Sequence, residues 1–167
     1  MLYSVRILTC LIMIFICQKV MGLTITGTLP VTATVINGGS CTLGGVTNMI
    51  FPQYSPINSD PDHATGSVTI TCTISMPFDI GINKGLSDGA TEENRLLTRR
   101  AGKQELKYGL FQDGNHKYNY GTILGRNTLH QLGTGSSQTI TIYGEIPINQ
   151  PVEPGTYTDT VTIFLIF

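Results

Sequence analysis

The feature that most constrains this chain is a side-chain period of two, repeated at intervals along its whole length. In T-I-T-G-T-L-P-V-T-A-T-V-I-N (Thr24–Asn37) every odd position from 25 to 35 is apolar or glycine: Ile25, Gly27, Leu29, Val31, Ala33 and Val35. Threonine fills most of the even positions. Successive side chains of an extended strand point to opposite faces, so this pattern describes a strand with one apolar face. The same alternation recurs in Gly66–Ile74, where Val68, Ile70 and Cys72 share one face. It recurs again in Phe78–Ile82, in Gln138–Ile146 and in the last eleven residues, Tyr157–Phe167. No window carries apolar residues at helical spacing between cap residues, and Gly and Pro punctuate the chain throughout. Thr, Ile, Val and Tyr dominate the periodic segments, which favours strands.

Residues 1–22 read as a secretory signal peptide, outside the mature fold. Arg6 precedes an almost unbroken apolar run, Ile7–Cys17, which is too short to span a bilayer comfortably, and Val20-Met21-Gly22 suits cleavage. The remaining 145 residues are the size of one ordinary domain. With Arg6 and Lys19 gone, eight basic side chains stand against eleven acidic ones, which gives no reason to expect nucleic acid as a partner. Cys41 and Cys72 are the cysteines that stay. In an exported chain two cysteines read as one structural disulfide, and no C-x-x-C suggests redox chemistry. Cys72 faces inward, where it is expected to meet Cys41 across the core.

In order, the chain is expected to hold a front strand (23–37), a joint at Asn37-Gly38-Gly39-Ser40, and one or two short strands within Cys41–Tyr54. A loop over Ser55–Thr65 follows, then strands at Gly66–Ile74 and Phe78–Ile82 and a polar loop at Asn83–Glu93. Strands at Leu106–Phe111 and Tyr118–Leu124 are separated by the turn Asp113-Gly114-Asn115. Gln138–Ile146, a loop over Pro147–Gly155 and the final strand complete the set. About seven short strands with turns between them predict an immunoglobulin-like β-sandwich. In the final strand Val161, Ile163, Leu165 and Phe167 lie on one face, and Phe164 and Ile166 on the other. The expectation is that nothing follows to cover its edge, and an uncovered apolar edge strand aggregates unless a partner pairs with it.

Candidate chemistry is sparse. His63 sits in D-P-D-H beside Asp60 and Asp62, which reads as a solvated turn; His116 and His130 are placed in other loops. No His-x-x-x-His or paired C-x-x-C prepares a zinc site, so no metal is expected. No serine is marked out as a nucleophile, so no catalytic residue, cofactor or enzyme activity is assigned. Arg99-Arg100 with Lys103 and Lys107 reads as a solvated basic face, and Tyr108, Tyr143 and Tyr157 as packing residues.

Taken together, certain pieces resemble the spore coat protein U family, subunits of archaic chaperone–usher pili. They are T-I-T-G-T-L-P-V-T-A-T-V, then Gly-Gly-Ser-Cys41, then G-S-V-T-I-T-Cys72, L-K-Y-G-L-F-Q-D, the Tyr120-Gly121 pair, I-T-I-Y-G-E-I-P and the ending G-T-Y-T-D-T-V-T-I-F-L-I-F. The set runs from about residue 24 to 167 in order. Two departures are Tyr120, where the family often has tryptophan, and Pro30, which removes a backbone donor from the front strand.

The resemblance implies an all-β, incomplete sandwich lacking its last strand, with an N-terminal donor strand. It implies three kinds of partner: other subunits joined head to tail, a periplasmic chaperone and an outer-membrane usher. Export through the periplasm to a surface pilus that serves adhesion or biofilm formation would follow. Ile25, Leu29, Val31, Ala33 and Val35 would then fill pockets in the neighbour, with Gly27 at a narrow point. Val161, Ile163, Leu165 and Phe167 would line the acceptor groove. Burying five aliphatic side chains is worth on the order of 10 kcal/mol before ordering costs. The alternative is a soluble secreted or coat-layer β-sandwich binding module whose front strand pairs within its own sheet.

Overall fold

The computed structural model describes Pro30, Thr32, Ala33, residues 38–100 and residues 103–167. By its contacts the chain divides into two units, 1–36 and 37–167, and the architecture below belongs to the second. The expected signal peptide, most of the expected front strand and Asn37 lie outside the described residues.

Nine strands form among the described residues: β1 (Cys41–Thr47), β2 (Asp62–Cys72), β3 (Pro77–Ile82), β4 (Arg95–Arg99), β5 (Glu105–Phe111), β6 (Leu129–Leu132), β7 (Ser137–Ile146), β8 (Tyr157–Thr158) and β9 (Ile163–Ile166). They build a six-stranded sheet, β1-β2-β7-β5-β4-β8, and a three-stranded sheet, β6-β3-β9. Every pairing is antiparallel. The two inner faces meet in one core. Val68, Ile70 and Cys72 of β2, Leu106, Tyr108 and Leu110 of β5, and Ile142 and Ile146 of β7 pack with Phe78, Ile80 and Ile82 of β3. The even-numbered alternation in each strand dictates this, because a one-residue slip would turn the whole apolar row to solvent. The result is the expected all-β sandwich.

Several expectations need correction. The loop over Ser55–Thr65 ends early, because β2 begins at Asp62 and its first residues pair with the end of β7. Tyr118–Leu124 is not a strand: the Asn119 bridge to Phe111 is its one β contact, and turns follow. Tyr120 donates its N–H to Leu110 O (2.8 Å) and Gly121 donates to Asn127 O (2.8 Å), which folds the segment back on itself. β4 and β6 stand where no strand was expected. His63 therefore lies in β2 and His130 in β6. The disulfide forms, but not across the core. Cys41 and Cys72 are direct partners on neighbouring strands of one sheet, with Cα atoms 4.1 Å apart.

The final segment is the most consequential correction. Instead of one strand over Tyr157–Phe167, it pairs with β4 as β8, breaks over 159–162, and crosses to the other sheet as β9. The break has a local cause. The Asp159 carboxylate accepts hydrogen bonds from Tyr108 Oη (2.7 Å), Leu86 N (3.0 Å) and Thr160 N (2.7 Å). Gly85, at φ 90°, passes so close to that carboxylate that a Cβ there would overlap it. Asn83 then seizes Thr162 from both sides: its N–H donates to Thr162 O (3.1 Å) and its Oδ1 accepts from Thr162 N (2.8 Å).

Candidate functional site

The Asn83–Thr162 clasp fixes where β9 starts, and a buried cation fixes Asn83. Arg95 is completely buried. Its guanidinium donates to four carbonyls: Asn83 O (2.8 Å), Glu92 O (2.5 Å), Ile82 O (2.9 Å) and Tyr120 O (2.9 Å). Burial pulls its pKa down, opposed by the negative ends of Tyr108, Glu92 and Asp159, and no carboxylate pairs with it directly among the described residues. The fan of donors suits a guanidinium, whose planar fork reaches several acceptors at once. One side chain thus ties the end of β3 to the loops before β4 and after β5.

β9 itself pairs with β3, Ile82 opposite Ile163 through Asp79 opposite Ile166. Among the described residues no strand pairs with its other edge. Val161, Ile163 and Leu165 point inward and pack against the core, yet remain partly exposed. The equivalent residues of the neighbouring strand, Phe78, Ile80 and Ile82, are fully covered. Among the described residues the sandwich is therefore sealed over β3 and open along β9. On the opposite face Phe164 is 42% and Ile166 37% exposed, and Phe167, beyond the strand, is 60% exposed. Among the described residues this edge has no partner strand and lies beside an apolar row, the arrangement that receives an added strand.

The residues expected to fill that row are mostly outside the described set: Ile25, Gly27, Leu29, Val31 and Val35. Ala33 is described, without strand structure and exposed. Of the acceptor residues, Val161, Ile163 and Leu165 share the inward face of the β9 segment, while Phe167 does not join them in the core.

Elsewhere the structure gathers residues that lie far apart in sequence. Asp79 of β3 faces His130 of β6, with Nδ1 and Oδ2 3.1 Å apart, and also accepts from Thr128 Oγ1 (2.9 Å). Arg99 pairs with Glu153, so it does not stand alone in a basic face. Tyr108 is core, Tyr157 is partly buried with its hydroxyl donating to Glu153 O (2.8 Å), and Tyr143 lies on the outer face of the large sheet. His63, His116 and Glu145 converge on that outer face. Sequence spacing conceals this group, which only the β2–β7 register and the turn after β5 bring together.

Comparison with known proteins gives three findings. The model of the family described as Spore Coat Protein U domain matches residues 25–164. "Protein U" of Myxococcus xanthus is 33% identical over 142 residues, covering 78% of this chain and 79% of that protein. Among solved structures, a chain of the CsuC–CsuE chaperone–tip adhesion subunit pre-assembly complex, from archaic chaperone-usher Csu pili of Acinetobacter baumannii, aligns with a TM-score of 0.57 at 22% identity. That alignment covers 77% of this chain and 40% of the other, so this chain spans well under half of its structural neighbour.

Proposed function

This chain belongs to the Spore Coat Protein U domain family, and from that premise we propose that it is a structural subunit of a chaperone–usher pilus. Subunits join by donor-strand exchange. The front strand of one chain lies along β9 of the next, with Ile25, Leu29, Val31, Ala33 and Val35 entering between the sheets and Gly27 at the narrow point. A periplasmic chaperone covers the same edge before assembly, and an outer-membrane usher exchanges it for the next subunit. The mature chain reaches the cell surface through the periplasm and serves adhesion or biofilm formation. It carries no catalytic activity.

The observation that supports this reading is the part-covered row of Val161, just before β9, with Ile163 and Leu165 of β9, a strand with one edge unpaired among the described residues. The chaperone–subunit complex in the fold neighbour's name supports the chaperone partner. A head-to-tail contact of this kind does not close, so it yields a filament and not a ring. The family's description as a spore coat protein favours a second use of the same joint, in a protective coat layer.

Exporting the mature chain to an oxidising compartment tests the joint. Unheated samples in detergent gels are expected to run as a ladder. Leu29→Asp with Val31→Asp on the donor side, or Leu165→Asp on the acceptor side, should collapse the ladder. A wild-type chain that stays a stable monomer would refute the proposal and leave a soluble binding module.

A further inference from the structure

The outer face of the six-stranded sheet carries a side-chain cluster that strand exchange does not use. His63 of β2 lies directly opposite Glu145 of β7, and Glu145 lies opposite Gly109 of β5 on its other side. A Cβ at Gly109 would come within 2.6 Å of the Phe111 ring, so the missing side chain leaves that ring its place on the sheet. His116 enters from the turn after β5. Its backbone stands at φ 54°, a region that residues other than glycine adopt rarely. The Asp113 carboxylate secures the turn by accepting N–H bonds from Lys117 (3.1 Å) and Tyr118 (3.0 Å).

The ring of His116 is held on three sides. It stacks on His63 with centroids 4.5 Å apart, and meets Phe111 and Tyr143 edge-on at 5.1 and 6.4 Å. Both histidines turn Nδ1 towards the same atom, Oε2 of Glu145, each at 3.8 Å. One ligand atom from each of the three residues lies within 4.8 Å of the others. The side chains of Glu145 and His116 are 24% and 16% exposed, and that of His63 is 50% exposed, so the group is sheltered but reachable.

A separation of 3.8 Å is too long for a hydrogen bond. Two bonds of about 2.0–2.2 Å to a tetrahedral metal set their donor atoms roughly 3.3–3.6 Å apart. The nitrogen–oxygen distances are within a few tenths of an ångström of that span. Two imidazoles and one carboxylate form a donor set that suits zinc and its neighbours, and does not suit calcium or magnesium, which prefer all-oxygen shells. The two rings stack 22° from parallel, and an imidazole nitrogen's lone pair lies in its ring plane, so the rings turn about their side-chain torsions to reach a shared ion.

We propose that His63, His116 and Glu145 bind a divalent transition metal of the zinc type, with a fourth position open to water. The ion ties the start of β2 and the end of β7 to the turn after β5. It acts at the opposite end of β2 from Cys41–Cys72, so the long strand is fastened at both ends. By mass action the bound ion raises the stability of the folded chain.

The test is calorimetric titration of untagged, metal-free mature chain with Zn²⁺, with Ca²⁺ and Mg²⁺ as comparison ions. The expected result is one Zn²⁺ per chain with micromolar affinity, undisturbed by millimolar Ca²⁺ or Mg²⁺. His63→Gln, Glu145→Gln and His116→Asn should each weaken binding at least tenfold. Asparagine is chosen at 116 because it tolerates the left-handed backbone; if that variant fails to fold, His63→Gln on an exposed side chain decides the matter. Zinc should also shift the imidazole proton resonances of both histidines. Absence of stoichiometric binding, or an affinity unchanged in His63→Gln, overturns the proposal. Neither outcome depends on whether the chains polymerise, because the cluster lies on a sheet that does not contain β9.

Discussion

Replacing Arg95 with methionine isolates the contribution of the buried cation that positions β9. The substitution keeps much of the volume and removes every donor. Four carbonyls lose a partner, and the bonds to two of them, Ile82 O and Tyr120 O, are fully buried. Leaving a buried acceptor unsatisfied costs about 1–3 kcal/mol, so this pair accounts for about 2–6 kcal/mol. Asn83 O and Glu92 O are part-buried, and water can replace the guanidinium there at smaller cost. Against this, methionine no longer has to be stripped of the hydration of a charge, which returns part of the loss. The expected net destabilisation is about 3 kcal/mol, inside the span set by the two buried carbonyls after the hydration term is returned. Arg95→Lys keeps the charge, but a single ammonium does not reach carbonyls on three separate segments, so it should lose at least half as much. Urea unfolding of the oxidised mature chain, followed by far-ultraviolet circular dichroism, reads the effect as a lower midpoint with unchanged slope. Because Asn83 holds Thr162 at the head of β9, ladder formation should fall in parallel. An Arg95→Met chain within about 1 kcal/mol of wild type would refute the reasoning.

Other substitutions probe separate links. Cys41→Ser with Cys72→Ser opens a loop of 31 residues' separation and should cost about 3–4 kcal/mol by the chain-entropy relation, read as a urea midpoint that matches reduced wild type. The Tyr120 hydroxyl is buried without a hydrogen-bond partner among the described residues, so Tyr120→Phe should be neutral or stabilising by up to about 1 kcal/mol in the same assay. Burial, and then the bond to Asp159, push the Tyr108 phenol above its ordinary pKa. Its contribution is therefore full below about pH 10, where the unfolded phenol is still protonated, and is lost as pH rises beyond it; Tyr108→Phe should flatten that alkaline decline in thermal melts. The backbone N–H of Tyr118, followed by that of Lys117, holds the Asp113 carboxyl below its usual range. That contribution is present above about pH 4 and lost as pH falls further, so Asp113→Asn should reduce the acid dependence of the melting temperature.

What the sequence reveals here is what periodicity encodes. Val68, Ile70 and Cys72, or Phe78, Ile80 and Ile82, announce their inward face because one side of each strand is wet and the other dry. β4 escapes notice since R-L-L-T-R is short and begins with an arginine, a residue that ordinarily signals solvent; nothing local marks Arg95 as buried. Tyr118–Leu124 has strand-like composition, but backbone bonds at Tyr120 and Gly121 commit it to a turn. The last eleven residues hold no Pro or Gly to mark a break, yet Asp159 breaks them, because its partners Tyr108 and Leu86 lie elsewhere in the chain. The inward row on β9 was legible; the crossover that delivers it to the smaller sheet was not. The His63–His116–Glu145 group depends on strand register across distant segments, which no spacing rule reports.

The most direct test of strand donation separates the two halves of the joint. Residues 37–167 are produced in an oxidising compartment, and thermal unfolding is recorded with and without a synthetic peptide of residues 23–36. The account predicts a weakly stable fragment whose melting temperature rises sharply with the peptide, and much less with a peptide carrying Leu29→Asp and Val31→Asp. A fragment that melts at the same temperature with either peptide as with none would contradict it.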